Sequence, residues 1–93
     1  MLASKKDSPR VRLSDLKTKQ RAVIQQVHNV VDTADAAQAD SIAMRLINLG
    51  FVAGESVEIM TRGVFGGEPI LVKIAGSRFA LRANEAQRIE VQL

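Results

Sequence analysis

The C-terminal part of the chain alternates apolar and polar positions: Val57 and Ile59, then Ile70, Val72 and Ile74, then Phe79 and Leu81, and finally Ile89, Val91 and Leu93. A period of two puts successive side chains on opposite faces of a pleated strand, so this pattern predicts four short strands with one buried face. Turns are expected at Gly63–Pro69 and at Ala75-Gly76-Ser77, where Gly66, Gly67 and Gly76 supply backbone freedom and Pro69 ends the first loop. Ala83–Arg88 supplies a single helical turn before the last strand. Antiparallel strands this short, with one apolar face, curl into a barrel because closure hides the edges an open sheet exposes.

Upstream the period lengthens. Ala39, Ile42, Ala43, Leu46 and Leu49 fall on one stripe while Asp40, Ser41, Arg45 and Asn48 lie elsewhere, which predicts a helix over Ala36–Leu49. Gly50 is suited to the left-handed conformation just past a helix end, and Phe51 is then expected to fold back on Leu46; Gly54 serves the turn into the next strand. Ala22–Val31 reads two ways. Val23, Ile24, Val27, Val30 and Val31 follow helical spacing, but all five are β-branched and fit a pleated surface better, so a strand is expected. Leu13-Ser14-Asp15-Leu16 forms one helical turn whose leucines cap a barrel end. Residues 1–12, polar, basic and interrupted by Pro9, read as a flexible leader, and residues 13–93 as the domain. The expected fold is mainly β, a small barrel with one α-helix inserted after the first strand and a short helical turn before the last.

With 93 residues, one modest core is the limit. The absence of cysteine removes disulfides, thiolate metal sites and thiol catalysis together. The N-terminus lacks the apolar centre of a secretory signal, and no apolar run approaches a membrane span, so the chain is expected in the cytoplasm without direct membrane insertion. Net charge is +3, but seven basic residues precede Ala22 against two acidic ones, leaving the remainder mildly acidic. That distribution disfavours a nucleic-acid partner, which wants a basic stripe on the folded face.

Candidate chemistry is sparse. His28 is the only histidine, and the carboxylates Asp32, Asp35 and Asp40 lie where helix-start electrostatics account for them, so no metal site, cofactor or catalytic group is expected. The best functional candidate is the Arg62–Pro69 hairpin: Val64 and Phe65 sit between Gly63 and Gly66 where a purely structural turn prefers polar residues. An apolar tip asks for a partner, although Phe65 folding back over the barrel end is the competing reading. Met60, Leu71 and Arg82 point away from the interior by alternation, and Met60 paired with Leu71 across the hairpin extends an apolar strip to Phe65; Arg45 lies on the helix's outer side. Arg62, beside the flexible Gly63, is placed to reach a partner's nucleotide as an arginine finger.

Three ordered motifs carry a family resemblance. Arg45-Leu46-Ile47-Asn48-Leu49-Gly50-Phe51-Val52-Ala53-Gly54 with Val57-Glu58-Ile59 resembles the helix-to-strand passage of FeoA-domain proteins; Gly63-Val64-Phe65-Gly66-Gly67-Glu68-Pro69-Ile70-Leu71-Val72 resembles their glycine-rich hairpin; Phe79-Ala80-Leu81-Arg82, with Ala86 and Ile89-Glu90-Val91, resembles their closing segment. The resemblance runs from Leu13 to Leu93, and it departs at Thr18-Lys19, where this family often carries a proline–glycine turn. It implies an SH3-like β-barrel, not an enzyme, that binds the cytoplasmic GTP-binding portion of the ferrous-iron transporter FeoB and regulates or assembles it, with weak self-association compatible. Two other readings stand beside it: a nucleic-acid- or protein-associating barrel like the C-terminal domain of iron-dependent repressors, and an activator of a partner's GTP hydrolysis.

Overall fold

The computed structural model describes residues 10–28, 36–64 and 66–93, without the side chains of 36–40. The elements are β1 (Arg10–Arg12), a 3-10 turn η1 (Leu13–Asp15), β2 (Arg21–Val27), α1 (Ala36–Leu49), β3 (Ser56–Gly63), β4 (Gly67–Ile74), β5 (Ser77–Leu81), α2 (Ala83–Ala86) and β6 (Ile89–Gln92). All the strands pair antiparallel in one sheet of order β1-β6-β2-β3-β4-β5, the mainly β architecture expected.

Two boundaries differ from expectation. Arg10–Arg12, placed in the leader by composition, is a strand aligned with Gln92, Val91 and Glu90 of β6, so α1 follows the second strand rather than the first. A strand of three residues with one apolar member gives no alternation to read; its conformation comes from the partner strand. The expected turn at Gly63–Pro69 is narrower, since β3 runs to Gly63 and β4 starts at Gly67. Residues 1–9, Val30, Val31, Asp32 and Asp35 lie outside the described residues.

The alternating residues supply the core. Val57, Ile59, Ile70, Val72, Ile74, Leu81, Ile89 and Val91 are buried, together with Leu13 from the 3-10 turn, Leu16 just after it, Ile24 from β2 and Leu46 from α1. Full burial of a side chain of this size is worth about 1.5–3 kcal/mol, so this inner face dominates stability. Leu93 departs from its inward assignment: it lies one residue past β6, and it is 48% exposed.

The end of α1 behaves as its sequence predicts. Gly50 adopts a φ of +112°, its N–H donates to Ile47 O at 3.0 Å, and the Phe51 N–H donates to Leu46 O at 3.1 Å, the paired bonds of a Schellman stop. Phe51 is thereby driven into the core, where its ring meets Phe79 of β5 at 5.9 Å between centroids. Helix and sheet are joined at that contact.

Candidate partner-binding surface

The hairpin of β3 and β4 is irregular at two places. Ile59 pairs with Val72 and Thr61 with Leu71, which leaves Met60 as an extra residue; further on, Arg62 pairs with Ile70 and Gly63 with Gly67, which leaves Glu68 and Pro69 as extras on the other strand. Bulges of this kind bend a ribbon and raise its twist. A side chain at Gly63 is impossible in this arrangement, because its first carbon would stand 2.0 Å from the Glu68 carbonyl oxygen. Glycine at 63 therefore allows the two strands to close at the hairpin base.

Of the residues expected at a partner surface, Val64 stands at the tip and is 88% exposed. Phe65 lies outside the described residues. Met60 and Leu71 are half-buried and are not cross-strand partners; the bulge puts Thr61 opposite Leu71, so the Met60–Leu71 pair expected from simple alternation does not form.

Arg62 departs from the exposed role expected of it. Its Nη2 donates to the main-chain oxygens of Ser14 at 2.7 Å and Leu16 at 2.5 Å, so the guanidinium ties the hairpin base to the 3-10 turn. A charged donor on two carbonyls satisfies acceptors that the short turn leaves open. So engaged, the side chain is not extended towards a partner's nucleotide.

Arg45 and Arg82 come together elsewhere, in a cleft of about 640 Å³ lined also by Glu68, Pro69, Ala80, Leu81 and Glu85. Arg45 from α1 is ion-paired to Glu85 of α2, whose other oxygen accepts the Arg82 N–H at 2.9 Å. Glu68 accepts the Ala83 N–H. Both cleft carboxylates are thus engaged within the chain. Sequence reasoning missed them; the only hint was Glu85 placed three residues after Arg82, the spacing at which a carboxylate reaches back to cap a helix start. Met44, on the outer side of α1 beside Arg45, is 56% exposed, and sequence reasoning missed that Ile47 and Val52 are also exposed, at 41% and 40%.

His28 is bound into a polar cluster at the opposite sheet edge. Its Nε2–H donates to Glu90 Oε1 at 2.6 Å, Gln26 Nε2 donates to the same oxygen at 3.4 Å, and Arg10 Nη1 stands 3.8 Å from Oε2. The His28 hydrogen bond, helped by Gln26 and Arg10, holds the Glu90 carboxyl below the ordinary carboxylate range against the opposing effect of burial. Among the described residues no three of His, Cys, Asp and Glu gather as a metal site.

The model of the FeoA domain matches residues 11–93. The chain belongs to the FeoA family. Among solved structures, FeoA of Stenotrophomonas maltophilia, crystallised with zinc and described as a prokaryotic SH3-domain protein possibly acting as a bacterial ferrous iron transport activating factor, is 42% identical; the match covers 87% of this chain and 88% of that one with a TM-score of 0.73. Iron(II) transport protein A of Clostridium thermocellum is 31% identical over 89% of this chain and 45% of that one, with a TM-score of 0.69. A manganese-dependent transcriptional repressor shares the fold alone, at 15% identity over 91% of this chain and 42% of that one and a TM-score of 0.73. Among curated proteins no match was found. The three motifs quoted from the sequence all fall inside the FeoA match, and no helix among the described residues is long and apolar enough to cross a membrane.

Proposed function

We propose that this FeoA-family protein is a non-enzymatic accessory of bacterial ferrous-iron uptake. It binds the cytoplasmic GTP-binding portion of a FeoB-type transporter through the tip of the β3–β4 hairpin, and regulates or assembles the transporter from there. The observation that carries this reading is Val64, 88% exposed at the head of a hairpin whose base is fixed by Gly63 and by Arg62. An apolar side chain held out on a short loop gains free energy when a partner covers it. Family membership supplies the transport context. Stimulation of GTP hydrolysis by an arginine finger is not part of the proposal, since Arg62 is engaged on Ser14 and Leu16.

The test is titration of the transporter's cytoplasmic domain with wild-type protein and with Val64→Asp, alone and combined with Phe65→Asp. Affinity falls at least tenfold in the double variant, about 1.4 kcal/mol, with thermal stability of Val64→Asp unchanged. Undiminished binding by the double variant removes the hairpin tip from the interface.

A further inference from the structure

The sheet ends on β5, and the outward edge of that strand has no backbone partner among the described residues. Which groups it offers follows from the turn. Ile74 pairs with Ser77 across the two residues Ala75 and Gly76, both at positive φ, which is the two-residue hairpin whose flanking pair exchanges both hydrogen bonds. Antiparallel alternation then makes Val72 with Phe79 and Ile70 with Leu81 the bonded pairs, and turns the N–H and C=O groups of Arg78 and Ala80 outward.

Side chains at the same positions add a second signal. Arg78, Ala80 and Arg82 project on the outer face at alternate positions, all exposed, and neither arginine has a described ion pair. Lys73 stands beside Arg78 on β4 and Leu71 beside Ala80. The edge therefore presents a cation, a small apolar step and a cation, in the spacing of one strand face.

We infer that β5 is a strand-addition site for an extended acidic segment of another protein, with carboxylates two residues either side of an apolar residue. The carboxylates meet Arg78 and Arg82, the apolar residue covers Ala80 and Leu71, and the main chain bonds to Arg78 and Ala80. Charge decides against the other obvious occupant, a second copy of this chain: two β5 edges paired antiparallel about Ala80 place Arg78 opposite Arg82 twice, and like charges directly opposite destabilise a ladder. The cleft lined by Ala80, Leu81 and Arg82 borders this edge. The inference does not depend on which protein supplies the segment or on the hairpin-tip proposal.

The probe is the capped heptapeptide Thr-Glu-Thr-Val-Thr-Glu-Thr, titrated into the full chain with backbone amide spectra and hydrogen exchange as readouts. Free protein shows fast exchange at Arg78 and Ala80 and slow exchange at Phe79 and Leu81; bound protein shows protection gained at Arg78 and Ala80. Arg78→Glu with Arg82→Glu weakens the peptide at least tenfold, and the same peptide with lysines for glutamates then binds the doubly substituted protein. Ala80→Pro, which removes an outward N–H without touching the β4 ladder, abolishes protection. Absence of binding at millimolar peptide, binding without protection at Arg78 and Ala80, indifference to charge reversal, or self-association through β5 overturns the inference.

Discussion

The Arg62 guanidinium reaches across the mouth of the barrel to the main-chain oxygen of Leu16, 2.5 Å away, so that a hairpin expected to face outward is tied at its base to the 3-10 turn that closes the core. Hydrogen bonds from charged groups contribute about 1.5–3 kcal/mol. Arg62→Ala is expected to lower unfolding free energy by about 2 kcal/mol in urea titration. Arg62→Lys recovers only part of this, because an ammonium lacks the planar fork. An unchanged midpoint for Arg62→Ala shows that the guanidinium is dispensable.

Gly63 and Gly66 flank the same loop yet serve different needs. At Gly63 the obstacle is backbone, the Glu68 carbonyl, whereas at Gly66 the space is open and only a φ of +65° opposes a side chain. Gly63→Ala is expected to cost at least about 2 kcal/mol and Gly66→Ala about 1 kcal/mol. Comparison of their thermal midpoints measures the difference, and equal losses contradict the close approach.

Two residues other than glycine occupy left-handed backbone: Lys19 at φ 69° and Ala75 at φ 50°. Lys19 sits third in a four-residue turn closed by Gln20 N–H to Lys17 O at 3.0 Å, the position where glycine is favoured, and Ala75 is second in the four-residue turn Ile74–Ser77, a position that prefers asparagine. Lys19→Gly and Ala75→Asn are each expected to stabilise by about 0.5–1 kcal/mol. Additive increases in thermal midpoint in the double variant confirm this, since the two turns are separate.

Glu90 makes folding sensitive to acid. Its carboxyl is held below the ordinary 4.5, so the stability it contributes is fully present above that value and is lost as pH falls through the lower folded-state value. Urea midpoints measured from pH 6 down to pH 3 are expected to decline, with a shallower decline in Glu90→Gln. A variant with the wild-type slope assigns the acid dependence to other carboxylates.

Much of this architecture can be read locally. The α1 stop at Gly50 and Phe51, the buried row from Val57 to Val91 and the 3-10 turn at Leu13 each depend on spacing over a few residues, and each is found as expected. What is hidden depends on distant partners. β1 owes its conformation to β6 at the other end of the chain, and Arg62 owes its role to carbonyls of Ser14 and Leu16, which no side-chain pattern marks. Met60 shows a subtler failure: alternation continues through the sequence, but an extra residue in β3 shifts the register, and Leu71 acquires Thr61 as its neighbour. The candidate surface was legible at Val64, while the joining of Arg45 and Arg82 through Glu85 required the fold.

The contact between Gly63 and the Glu68 carbonyl separates the loop into a rigid neck and a replaceable head. Substitution at Val64 leaves the neck untouched, so on the hairpin-tip proposal the binding surface can change while the barrel stays the same.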